Sequence, residues 1–98
     1  MSKLKPGGLA LVLKAWVKSN VGKFVTTVSL LPARTSMIAP DGNTIHNWTG
    51  EPVWFVTGDV KAEFFSGQIG VGYGLAPAEN LLPINPEKVD EKEAEEVA

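Results

Sequence analysis

The fold is decided by residues 23–31, KFVTTVSLL. β-Branched and aromatic side chains dominate this stretch, and both favour extended strands. Period-two alternation places Phe24, Val28 and Leu30 on one face of the predicted strand. Pro32 ends it, because proline has no N–H to donate to a continuing ladder.

Further strands are predicted on both sides of this one. A turn at residues 6–8, PGG, leads into the apolar run LALVLK at residues 9–14, which is typical of a strand. Residues 33–52 are rich in turn-forming residues and predict a short excursion or hairpin. The run VWFVT at residues 53–57 predicts another strand, with Trp54 and Phe55 on opposite faces.

Glycine alternates with larger residues in the last predicted long strand, residues 69–75. In residues 69–75, IGVGYGL, large side chains hold the odd positions and glycine the even ones. One face of this strand would therefore lack side chains and admit an aromatic ring or another backbone. Residues 76–80 predict one short 3₁₀ turn, and residues 81–84 a short closing strand. The fold class is therefore all-β.

This order of elements resembles the SH3-like barrels, in which a 3₁₀ turn precedes the last strand. Residues 5–13, KPGGLALVL, followed by VGKFV at 21–25, resemble the opening of a KOW-type unit. The whole chain also resembles small phage and prophage proteins that open with a Lys-Pro-Gly strand and end in Leu-x-Pro-Ile and an acidic tail. The resemblance implies a small SH3-like barrel of about five strands over residues 1–86, followed by a flexible acidic tail at 87–98. Fold alone does not settle function.

Composition narrows the class of protein. The chain has 98 residues and no cysteine, which predicts one domain without disulfides, thiolate nucleophiles or cysteine-bound metal. The apolar run near its start is too short to span a bilayer, so we expect a protein of the bacterial or phage-infected host cytoplasm without membrane association. The glycosylation pattern at residues 47–49, NWT, is discounted because nothing signals secretion.

Residue types that support catalysis are sparse. The glycines of residues 70–74 lack the third glycine of a dinucleotide-binding loop. His46 is the only histidine, and a single imidazole without cysteine makes a poor metal site. The acids Asp41, Glu51 and Asp59 are scattered and show no paired spacing. We therefore predict no catalytic residues, no metal, no cofactor, no small-molecule substrate and no enzymatic activity.

Aromatic residues are more numerous than a core of this size needs, which favours a binding role. The leading hypothesis is a non-catalytic, phage-related interaction module that binds a protein partner or itself. The candidate contact residues are Trp16, Trp48, Trp54 and Tyr73. Trp16 and Trp48 lie among polar residues and are expected to be exposed. For Trp54, packing inside the barrel is an alternative of equal weight to a binding role.

Charge distribution leaves two further hypotheses open. The formal net charge is -2, yet residues 1–34 hold basic groups and no acid, and residues 87–98 are mostly acidic. A KOW-like nucleic-acid-binding face is the second hypothesis, and its candidate residues are Lys14, Lys18, Lys23 and Arg34. The acidic tail could then mask that face. A small structural or assembly protein, paired through strand edges, is the third hypothesis.

Overall fold

The computed structural model describes residues 4–64 and 66–84, and within them the protein is all-β, as the sequence predicts. The strands are β1 (Gly8–Val12), β2 (Phe24–Leu31), β3 (Ser36–Ile38), β4 (Thr44–His46), β5 (Val53–Glu63), β6 (Ile69–Ala76) and β7 (Leu81–Ile84). Two 3₁₀ turns lie at Lys18–Asn20 and Ala78–Asn80. The second is the turn predicted before the closing strand. The predicted acidic tail at 87–98 lies outside the described residues.

The strands form one large and one small antiparallel sheet. The large sheet has five strands in the order β6-β5-β2-β1-β7, and β3 pairs with β4 in a separate hairpin. β7 returns to the first strand, where Leu82 lies opposite Leu11. Among the described residues no ladder joins the edge strands β6 and β7, so the predicted barrel is open. β7 has only four residues and includes Pro83, which has no N–H for further pairing.

The core divides into two clusters on opposite sides of β5. The inner cluster contains Trp54 and Val56 together with buried residues of β1, β2, β6 and β7. The second cluster contains Phe55 and Tyr73, and the β3–β4 hairpin covers it with Ile45. Trp54 and Phe55 therefore point to opposite faces, as predicted.

β2 turns its predicted apolar face outward. Phe24, Val28 and Leu30 are exposed, whereas Val25, Thr27 and Leu31 are buried. The buried Thr27 hydroxyl donates to the carbonyl oxygens of Lys5 and Gly8, so its polar group is satisfied inside the sheet.

The predicted alternation of β6 breaks at Gly72. Its φ is +93°, a conformation that glycine adopts readily. Opposite it, the register of β5 shifts between Thr57 and Lys61. Val71 is consequently exposed while Tyr73 is buried. The prediction that a bare glycine admits an aromatic ring is confirmed at Gly70, where a Cβ would lie 2.1 Å from the Tyr73 hydroxyl oxygen.

Candidate functional site: a groove beside an exposed tryptophan

A groove of about 570 Å³ lies beside the loop that joins β1 to β2. Residues 13–16 contribute to one wall and residues 74–77 to the other. The buried side chains of Val12, Val56 and Val60 form its floor. The groove therefore presents part of the apolar core to a ligand, which is the usual composition of a binding pocket.

Trp16 is the most exposed large apolar side chain that lines this groove. Its side chain is 88% exposed, and its neighbours Leu13 and Val21 are each 46% exposed. A tryptophan carries a large apolar area and an indole N–H that can donate. An exposed apolar patch of this kind beside a groove is typical of an interaction site.

Backbone hydrogen bonds fix both ends of the loop that carries Trp16. The Gly22 N–H donates to the Val12 carbonyl at 2.8 Å, and the Val12 N–H donates to the Lys23 carbonyl at 3.0 Å. The Leu13 N–H donates to the Asn80 carbonyl at 2.8 Å. The last bond ties the loop to the second 3₁₀ turn, so the two walls of the groove are joined.

The Asn20 side chain fixes the middle of the same loop. Its Nδ2 atom donates to the Lys61 carbonyl at 2.8 Å, and its Oδ1 atom accepts from the Lys61 N–H at 2.9 Å. These two hydrogen bonds take the place of those that a neighbouring strand would make with β5, because β2 pairs with β5 only as far as Gly58. Asn20 is therefore the residue that positions the Trp16 loop, and nothing in its local sequence indicated this role.

The loop that carries Trp16 is basic, and one of its two lysines, Lys14, lines the groove. Lys14 and Lys18 are exposed, and within the described part of the chain no carboxylate oxygen lies within 4.0 Å of either amine. Lys23 differs, because its Nζ atom lies 3.0 Å from an Asp59 carboxylate oxygen. Both partners of that ion pair are exposed, so it contributes little to stability.

The predicted aromatic contact residues separate into exposed and buried pairs. Trp16 and Trp48 are exposed, as their polar neighbours predict, by 88% and 61%. Trp48 contacts the His46 ring, with 4.1 Å between ring centroids, and lies outside the groove lining. Trp54 and Tyr73 are 5% and 1% exposed. Packing of the core takes up both side chains, so neither belongs to a contact surface.

The predicted basic residues do not form one face. Lys14 and Lys18 share the groove loop, and Lys23 directly precedes β2. Arg34 follows the other end of β2, roughly 25 Å away along an eight-residue strand. The structure therefore places Lys14 and Lys18 on one loop and leaves Arg34 apart from them.

Tyr73 belongs to a polar cluster that holds the hairpin onto β6. Its hydroxyl donates to the Asp41 carboxylate at 2.7 Å, and the Asn43 N–H donates to the same carboxylate at 3.0 Å. Burial raises the pKa of Tyr73, and the Tyr73 hydrogen bond lowers the pKa of Asp41. Both shifts oppose proton transfer between the two groups near neutral pH, so the cluster is structural.

Asn47, the asparagine of the glycosylation pattern at residues 47–49, is buried. Its Nδ2 atom donates to the carbonyls of Leu31, Pro32 and Glu51 at 3.1, 3.2 and 2.7 Å. Its Oδ1 atom accepts from the N–H of Thr49 at 3.0 Å. The amide nitrogen is thus occupied by main-chain acceptors, and this asparagine holds a loop together.

Within residues 4–64 and 66–84, no group of three or more His, Cys, Asp and Glu side chains is placed to hold a metal ion. The same residues contain no helix long and apolar enough to cross a membrane. Comparison of the chain with protein-family models, curated proteins and solved structures finds no match.

Proposed function

We propose that this protein is a non-catalytic, SH3-like interaction module of phage origin that binds an apolar segment of a protein partner in the groove. The observation that carries the proposal is Trp16, which is almost fully exposed beside a groove whose floor is the core. Leu13 and Val21 extend the apolar surface around it. A partner side chain inserted here would be buried against Val12 and Val56.

The contacts that hold the loop support a groove formed before the ligand arrives. Asn20 bonds both polar groups of the Lys61 main chain, and Leu13 bonds the turn across the groove. Ordering a loop on binding costs affinity, so a loop already fixed in place favours tight association. Tryptophan side chains at the centre of an interface commonly contribute about 2 kcal/mol or more.

Peptides selected from a displayed random library provide the test. Trp16→Ala is expected to weaken the selected peptides by roughly 30-fold, the equivalent of about 2 kcal/mol. Trp48→Ala is the matched control, since Trp48 is also an exposed tryptophan but does not line the groove. Calorimetry measures the affinity of the selected peptides for each variant. If they bind the Trp16→Ala variant as tightly as the unmodified chain, the groove is not the binding site.

A second candidate function is binding of single-stranded nucleic acid on the same loop. Lys14 and Lys18 flank Trp16, and an aromatic platform between basic side chains suits a base stacked beside its phosphates. The loop supplies few such lysines, so the predicted affinity is modest.

The two candidates differ in their response to salt. Binding of a short oligothymidine should weaken steeply between about 50 and 200 mM salt, because phosphate contacts release counterions. Binding of an apolar peptide should change little over that range. Absence of oligothymidine binding at the lower salt concentration would eliminate the second candidate.

A further inference from the structure

We infer that the acidic C-terminal segment of this chain, residues 85–98, docks on the loop wall of the groove at Lys14 and Lys18 and covers Trp16. Docking of this segment would regulate ligand binding in the groove, so its importance rests on the proposed function. Three observations support it: the opposite charges, the length of the segment, and the apolar surface beside the lysines.

Charge complementarity favours the loop wall, where two basic side chains lie close in sequence; Lys5, Arg34 and Lys61 also have no described carboxylate within 4.0 Å, but each stands singly. Residues 85–98, NPEKVDEKEAEEVA, hold six acidic and two basic side chains. Lys14 and Lys18 are the only charged residues between positions 13 and 22, and no described carboxylate lies within 4.0 Å of either amine. Lys23 is a weaker partner because Asp59 already pairs with it. The acidic segment thus meets uncompensated positive charge at this wall.

The segment is long enough to reach the groove. β7 runs antiparallel to β1, with Leu81 opposite Val12 and Ile84 opposite Leu9. Ile84, the residue before the segment, therefore lies three residue positions from Val12 at the groove, about 10 Å along the strand. Fourteen residues span up to about 50 Å when extended, so the segment can turn back and cover the loop.

Apolar residues in the segment match the surface between the lysines. Val89 and Val97 are separated by acidic residues, and Trp16 and Leu13 offer exposed apolar area beside Lys14. Attachment within one chain raises the effective concentration of the segment, so weak contacts suffice for docking. A groove ligand would have to displace the segment.

Lys5 is the alternative basic partner in cis. It precedes β1, and the start of β1 lies beside the end of β7, where the segment begins. Lys14 is two residues from the exposed Trp16, whereas no tryptophan lies near Lys5 in the sequence. Substitution of each lysine position can therefore distinguish the two docking sites.

Paramagnetic broadening in the full chain tests the docking without any external ligand. The chain has no cysteine, so Val97→Cys provides one site for a nitroxide label. At low salt we expect the amides of residues 14–18 and the Trp16 indole N–H to lose half or more of their peak intensity. The intensity should return near 1 M salt, where charges are screened within about 3 Å.

Two lysine variants complete the test. The double substitution Lys14→Gln and Lys18→Gln should abolish the broadening, whereas Lys5→Gln should leave it unchanged. Broadening centred on Lys5, or none at residues 14–18, contradicts the inference. Broadening of isotope-labelled chains by separate nitroxide-labelled chains would instead identify a second copy as the donor, which also overturns docking in cis. None of these results depends on peptide binding. Failure of the docking inference can therefore be told apart from failure of the proposed function.

Discussion

At the residue scale, Gly70 shows how one missing side chain shapes the fold. The Tyr73 ring occupies the space above Gly70, and its hydroxyl reaches Asp41 in the hairpin turn. A methyl group at position 70 would collide with a ring that is buried and hydrogen-bonded. The glycine is therefore required by close contact, since its own φ is not in the left-handed region.

We predict that Gly70→Ala lowers the free energy of unfolding by about 1–3 kcal/mol, the usual range for overpacking a core. Gly50→Ala is the matched control, because a Cβ there meets nothing within 4 Å. Urea denaturation of both variants measures the difference. Equal stability of the two variants would show that the ring moves aside without cost.

The Asp41–Tyr73 hydrogen bond predicts a pH dependence at both ends of the scale. The pKa of Asp41 is lowered in the fold, chiefly by the Tyr73 hydrogen bond. Its stabilising contribution is therefore present above the ordinary carboxyl pKa of about 3.9 and is lost as pH falls through the lower folded value. The pKa of Tyr73 is raised, chiefly by burial, so its contribution is lost as pH rises above about 10.

The unfolding free energy of the unmodified chain should therefore approach that of Asp41→Asn progressively as pH falls below about 4. Above about pH 10, the unmodified chain should lose stability faster than Tyr73→Phe. Denaturation series at fixed pH values check both trends. Parallel profiles for the variants and the unmodified chain would contradict the assigned hydrogen bond.

At single positions the sequence predicts the exposure of Trp16 and Trp48, but neither the burial of Tyr73 nor the long-range polar contacts. The polar neighbours of Trp16 and Trp48 indicated exposed side chains, and both are exposed. Asn20 and Asn47 gave no such signal, because their partners are main-chain groups of Lys61 and Leu31, distant in sequence. Only the folded arrangement brings those groups together.

At the element scale, local sequence patterns predict where strands occur better than they predict which face of a strand is buried or how long it is. The sequence indicates a strand at 53–57, yet β5 extends to Glu63. Gly58, which follows the predicted run, lies within the strand at φ +150°, where a Cβ would be 3.0 Å from the Phe24 carbonyl oxygen. A glycine that permits close strand approach and a glycine that ends a strand look the same in sequence.

The groove loop provides a prediction at this scale. Asn20→Ala should increase hydrogen exchange of the Lys61 amide and weaken groove ligands about tenfold, because the loop loses the two side-chain hydrogen bonds that tie its middle to β5. Ser19→Ala is the matched control, since Ser19 is exposed and adjacent. Unchanged Lys61 exchange in Asn20→Ala would refute the positioning role.

At the scale of the whole molecule, the groove is assembled from distant parts of the chain: the loop after β1, two valines of β5 and the end of β6. Among the described residues β6 and β7 remain the edges of the large sheet, and the second 3₁₀ turn connects them. The sequence predicted the number of strands in the large sheet and the turn before the last one. It could not predict the opening, which depends on the pairing of β7 with β1 across most of the chain.

Amide chemical-shift mapping on the full chain shows whether a partner binds in this groove. When a library-selected peptide is titrated, we expect the largest shifts on residues 13–16 and 74–77 and on the Trp16 indole N–H. Shifts confined to the hairpin or to the exposed face around Phe24, with the groove signals unchanged, would contradict binding in the groove.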